Sequence, residues 1–118
     1  MRPEERDPAY LWDMLDAAQR ARDYVGDRDL DTYLHDRMVQ SAVERVVEII
    51  GEAARRVSPT FKDDHPEIPW AQIIAQRNVL AHEYGDIDHS RMWALIVNHL
   101  PALIAKLEDV MPKPPLDE

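Results

Sequence analysis

The stretch DRMVQSAVERVVEIIGEAARRVSP, residues 36–59, carries two apolar rows on what reads as a single helix. Leu34, Met38, Ala42, Val46, Ile49 and Ala53 form one row, and Val39, Val43, Val47, Ile50 and Ala54 form the other. At about 100° per residue the two rows cover roughly 200° of helix surface, more than one core contact requires. A helix of this kind, over about residues 31–57, must be buried on two sides, either at the centre of a bundle or across a dimer interface. The predicted fold is therefore all-α, with other helices packed around this one.

The flanking sequence supplies those helices. One opens at Asp7-Pro8, with Asp7 as N-cap and proline at the first helical position, and runs through Leu11, Met14, Leu15, Ala18, Ala21 and Val25 to Gly26. Residues 58–69, with three prolines and the pair Asp63-Asp64, read as a loop. Another helix starts at Pro69-Trp70 and ends at Gly85. Asp86 or Asp88 caps the last, which carries Met92, Trp93, Ile96, Leu100, Leu103, Ile104 and Leu107 and contains Pro101. Proline removes a backbone donor and clashes with the preceding turn, so that helix should bend. The expectation is an up-and-down bundle of four main helices, one domain over residues 1–111, with a disordered tail at 112–118.

A chain of 118 residues with 45% hydrophobic content can bury one core. No run approaches the roughly 18 apolar residues of a membrane span, and the charged start MRPEERDPAY does not read as a signal peptide, so a soluble, cytoplasmic protein is expected. The absence of cysteine excludes disulfides, thiolate catalysis and cysteine-ligated metal sites. A net charge of -9, from 14 basic and 23 acidic residues, argues against binding nucleic acid by diffuse attraction. Any positive charge that meets a phosphate must be local.

The helix after Pro69 contains RNVLAHEY, residues 77–84. Ile73, Ile74, Leu80, Ala81 and Tyr84 fall within roughly 80° of Trp70 around the helix, and Arg77 lies near the middle of that arc. An arginine there needs a carboxylate, a partner chain or an anionic ligand. His82 is roughly 140° from Arg77, so a straight helix does not aim both at one point. Their convergence needs the reach of arginine, a distorted last turn, or the same helix from a second subunit. His82 lies in the last turn, where the helix dipole favours the imidazolium, and an imidazole of pKa ~6.5 moves protons near neutral pH. Arginine with histidine and no metal suits a phosphodiester whose own 2′-OH is the nucleophile. By spacing alone, a structural ion pair at Arg77 and a satisfied helix-end His82 are the favoured reading, and catalysis is the minority one.

Other signals are weaker. HEYGDIDH, residues 82–89, lacks the helical two-histidine spacing of a metal site, and Asp86 and Asp88 serve better as caps, so no metal or other cofactor is expected. Glu48 and Glu52 read as a solvated pair facing Arg45, Arg55 or Arg56, although either could serve as a counter-ion for Arg77. His35, His65 and His99 read as structural or exposed, and Trp12, Trp70 and Trp93 as core.

The segment PWAQIIAQRNVLAHEYGDID, residues 69–88, resembles the signature of the HEPN superfamily, specifically the HepT-type (DUF86) toxins. Their motif of arginine, four residues, histidine, one residue and tyrosine is complete here as Arg77, His82 and Tyr84, with Asn78 after the arginine. Residues 36–59 are similar to the family's long second helix, and the proline in the final helix fits as well. The resemblance implies a helical HEPN bundle, a homodimer with the two motif helices facing across a cleft, and metal-independent endoribonuclease activity on RNA. Arg77, His82 and Asn78 would then be catalytic, and Tyr84 the residue to which a cognate minimal nucleotidyltransferase antitoxin transfers AMP. The rival implied by the same motif is a catalytically silent module that binds nucleotide or pairs with a nucleotidyltransferase.

Overall fold

The computed structural model describes residues 3–82 and 87–111, with side chains for residues 4–76 and 87–111. Every regular element among them is helical. A 3₁₀ turn, Pro3–Arg6, leads into α1, Asp7–Val25. Then follow α2, Leu30–Leu34, α3, Arg37–Arg56, α4, Pro59–Asp64, and α5, Trp70–His82. The chain finishes with α6, His89–Ala94, a π turn, Leu95–His99, and α7, Leu100–Val110, in unbroken succession. The four main rods are α1, α3, α5 and the α6–α7 unit.

α3 lies at the centre, packed against α1 and against α5, while α1 also meets α7. The core joins Leu11, Met14, Ala18 and Val25 of α1 to Val43, Val47, Ile50 and Ala54 of α3 and to Ile96, Leu100 and Leu107 of the final rod. Ala17, Ala18 and Ala21 keep α1 thin where α3 crosses it. From Val43 onward both apolar rows of α3 are thus largely covered from within the chain.

Four details depart from the sequence expectation. The long second helix is interrupted at His35 and Asp36, because the Asp36 carboxylate accepts the Val39 N–H and starts α3 afresh. Beyond that break the apolar row is solvent-facing, with Met38 83% exposed and Leu34 38%. Residues 58–69 are not all loop, since Ser58 caps α4 by accepting the Phe61 N–H and Pro59 takes an early position that needs no donor. Trp12 is 59% exposed rather than core, whereas Trp70 is buried as expected.

The fourth departure concerns Asp7, which does not cap its own helix. Its carboxylate accepts the Ser58 backbone N–H at 2.8 Å and the Ser58 hydroxyl at 2.6 Å, and both residues are buried. Phe61 N–H donates to Ser58 Oγ, which donates to Asp7, so one relay fastens the start of α1, the end of α3 and the start of α4. Elsewhere the expected punctuation is found. Gly26 ends α1 at φ 54°, a left-handed position glycine tolerates, and its N–H reaches the Arg22 carbonyl at 2.8 Å. Asp88, one of the two expected caps, accepts the Arg91 N–H to start α6; Gly85, Asp86 and residues 112–118 lie outside the described residues. Pro101 has no N–H to give, and just before it Leu100 N–H bonds back five residues to the Leu95 carbonyl in a π turn, so the final helix is disturbed at the expected place. No helix among the described residues is long and apolar enough to cross a membrane.

The buried relay yields the first expectation. Asp7→Ala leaves the Ser58 N–H and hydroxyl without an acceptor and should lower the unfolding free energy by about 3 kcal/mol in a urea titration. Asp7→Asn, which keeps one acceptor oxygen, should lose distinctly less.

Candidate functional site

α5 is set by what precedes it. Ile68 is buried, and the Trp70 indole N–H donates to the His65 carbonyl at 2.9 Å. Phe61 meets the Trp70 ring edge-on at 6.1 Å and lies against His65 at 4.4 Å. A short helix and a tryptophan thus fix the first turn of α5, and α3 fixes its flank.

From that anchor the backbone stays α-helical through His82. Arg77, Asn78 and His82 therefore occupy one helix, with Arg77 one turn beyond Ile73 and His82 at the C-terminal end. The five steps from Arg77 to His82 turn the helix by about 500°, which leaves their backbone positions about 140° apart. The side chains of these three residues lie outside the described ones, and Tyr84 lies outside the described residues altogether.

Two features flank this helix. The first is a groove of about 820 Å³ between α5 and the final rod. Its buried floor is Val47 and Ile50 of α3 with Leu100 and Leu103 of α7, and half-buried Ile73 and Leu95 face it from the two walls. Gln72 and Gln76 stand on the α5 wall, and Arg91, His99 and Lys106 on the other.

The second is a polar cluster where the chain returns after the motif. Glu44 of α3 lies 3.4 Å from His89 Nδ1 at the start of α6. Burial pushes the Glu44 carboxyl above its ordinary range, and His89 offsets part of that rise. Tyr33, fully buried in α2, has its phenol pushed up to about 12, first by burial and then by Glu44. Tyr33 Oη, His89 Nδ1 and Trp93 Nε1 are buried atoms without a hydrogen-bond partner among the described residues. The Glu44–His89 contact therefore has ion-pair distance without hydrogen-bond geometry.

Glu48 and Glu52 pair as expected, with Arg45 at 3.8 Å for Glu48, and with Arg55 at 3.6 Å and Arg56 at 2.9 Å for Glu52. They line a smaller cleft of about 340 Å³ on the α1 side of α3. Within HEYGDIDH, residues 83–86 lie outside the described residues, Asp88 caps α6 and His89 faces Glu44. His35 and His99 are exposed, and His65 pairs with Glu67 at 3.0 Å. The groove and the Glu44 cluster were not anticipated. Both join residues far apart in sequence, and only the acidic total charge, which demanded a local cationic patch, hinted at the first.

Comparisons with known proteins agree on one family. The ribonuclease HepT-like family model matches residues 14–110, a span that holds α5 and the whole motif. The chain is 32% identical over 102 residues to "Putative RNase MJ1380" of Methanocaldococcus jannaschii, covering 86% of this chain and 94% of that one. It is 34% identical over 99 residues to "Probable ribonuclease HepT" of Thermococcus cleftensis, covering 84% and 90%. No solved structure matches.

The polar cluster gives a pH expectation. A phenol whose folded pKa is raised to about 12 lends stability that is complete below the unfolded value near 10 and is lost as pH rises through 12. Melting temperature should therefore fall between about pH 10 and 12, and Tyr33→Phe should flatten that slope.

Proposed function

Because the chain belongs to the ribonuclease HepT-like family, we propose that it is a metal-independent endoribonuclease whose chemistry is carried by Arg77, Asn78 and His82. The observation that carries this reading is the complete Arg77, His82, Tyr84 motif inside the matched span, with its first two residues on one helix.

The chemistry follows from the residue types. The Arg77 guanidinium binds the scissile phosphate and stabilises the charge that builds on its oxygens. His82, at the C-terminal end of α5 where the dipole favours a proton, takes the proton from the 2′-OH or gives one to the leaving 5′-oxygen. The 2′-oxygen attacks phosphorus and the bond to the 5′-oxygen breaks. The products are a 2′,3′-cyclic phosphate and a 5′-hydroxyl, and no metal or redox partner is consumed. Asn78 orients the phosphate or His82. The 140° between Arg77 and His82 motivates a homodimer, in which one subunit's arginine and the other's histidine share a cleft. As a toxin, the protein would be neutralised when a nucleotidyltransferase antitoxin moves AMP from ATP to the Tyr84 hydroxyl, releasing pyrophosphate. An attached AMP adds bulk and negative charge seven residues beyond Arg77, nearly in register with it on a continued helix.

A labelled RNA incubated with the purified chain in excess chelator should be cut to fragments ending in cyclic phosphate. Arg77→Ala and His82→Ala should each lower the rate at least about a hundredfold while leaving the circular dichroism spectrum unchanged. Full activity in both variants would remove the assignment, and an inactive wild-type chain that still binds nucleotide would favour the silent module. Co-expression with a cognate minimal nucleotidyltransferase should add one adenylyl group by mass, absent in Tyr84→Phe.

A further inference from the structure

We infer that the groove between α5 and the final rod is the track along which single-stranded RNA approaches the motif, held at its rim by Arg91 and Lys106. This rests on the ribonuclease reading and names where the substrate strand lies outside the motif itself.

Charge is the first ground. The chain carries 23 acidic residues, yet none of the described residues lining this groove is Asp or Glu. Arg91 and Lys106, both exposed, make no ion pair among the described residues. The Glu67 carboxyl feels Lys106 without an ion-pair contact, and Asp88 accepts the Arg91 backbone N–H as a helix cap without pairing with its guanidinium. The surface of α3 on the α1 side is the opposite case: Arg45, Arg55 and Arg56 are all matched to Glu48 or Glu52. Unmatched cations in an acidic chain form a local positive strip that attracts a polyanion.

Shape and direction supply the second ground. Fifteen residues of near-helical rise separate Arg91 from Lys106, roughly 22 Å along the rod, enough to touch several phosphates of an extended strand. The floor of Val47, Ile50, Leu100 and Leu103 offers apolar surface to bases, and Gln72 and Gln76 offer donors and acceptors on the facing wall. Lys106 acts on Glu67, three residues before α5 begins, which sets the far end of the final rod at the start of α5 and leaves Arg91 toward Gln76, the residue directly before Arg77. A strand in the groove leads to the motif end of α5. The described lining contains no Phe, Tyr or Trp and no carboxylate, so binding should rest on phosphate contacts and depend strongly on salt. A second copy of this chain fits less well, since a symmetric contact would set Arg91 and Lys106 against another set of cations with no carboxylate to receive them.

The test uses the full chain and a fluorescent RNA that is 2′-O-methylated throughout, so that no 2′-OH proton is available and binding is read without cleavage. Fluorescence anisotropy is measured against salt for the wild type, for Arg91→Gln with Lys106→Gln, and for Arg45→Gln with Arg55→Gln, which removes the same net charge elsewhere. The groove pair should weaken binding by about tenfold or more and make the log–log salt slope shallower by about 1.4, at roughly 0.7 for each single-strand phosphate that is no longer neutralised. The control pair should change affinity less than about twofold. Equal losses in both pairs, or no loss in the groove pair, would overturn the groove assignment. So would an altered sedimentation coefficient of the groove pair with RNA affinity intact, which would assign the groove to a second copy. A wild type that cuts RNA while the groove pair binds as well as it does removes only the groove; a wild type that neither binds nor cuts RNA removes the ribonuclease reading as well.

Discussion

α3 carries apolar surface on two sides, and everything else in the molecule is arranged to cover it. α1, made thin by Ala17, Ala18 and Ala21, takes one side, and α5 takes the other. The relay from Phe61 through Ser58 to Asp7 then holds the ends together at a single buried point. The helix that bears the motif is thus positioned by one that bears none of it. α5 packs chiefly on α3, and the space beside that contact, floored by Val47 and Ile50 of α3, is left open toward α7. Stability and access come from the same arrangement, in which one flank of α5 is buried while the other borders a groove.

Local chemistry made much of this fold legible. The helix from Asp7 to Gly26, the restart at Trp70, the Asp88 cap and the disturbance at Pro101 all follow from residues within a few positions of the event. What could not be read depends on partners far away. Asp7 looked like an N-cap because aspartate before proline usually is one, and only its meeting with Ser58, 51 residues on, turns its carboxylate elsewhere. The exposure of Trp12 and Met38 has the same origin, since apolar periodicity names a face without saying whether a neighbour reaches its end. The two apolar rows of α3 left bundle and dimer open, and α5 covers this surface from within the chain.

The site divides similarly. Arg77, Asn78 and His82 stand on one helix and were visible as a spacing, while the groove and the Glu44, His89 and Tyr33 cluster exist only once α2, α3, α5 and the final rod are assembled. Total charge was a poor guide to this surface. A value of -9 describes the whole chain, but electrostatic attraction over a Debye length of about 10 Å depends on which charges are matched nearby. Carboxylates concentrated where arginines answer them leave the groove wall cationic despite that total.

The π turn before Pro101 acts as a phase shifter. Eight residues of regular α-helix turn about 800°, which would set Arg91 and His99, and likewise Met92 and Leu100, about 80° apart. A wider turn absorbs roughly one extra residue and brings each pair back to within about 20°. Met92 and Leu100 are accordingly both buried, and Arg91 and His99 both face the groove. The winding of residues 95–99 is therefore a stronger constraint than their composition. Deleting a single residue there would let the rod run as regular α-helix with each pair still within about 20°, whereas winding all five residues into regular α-helix would spin α7 by about 100° against α6, turning the core face and the groove face of the rod away from their partners together.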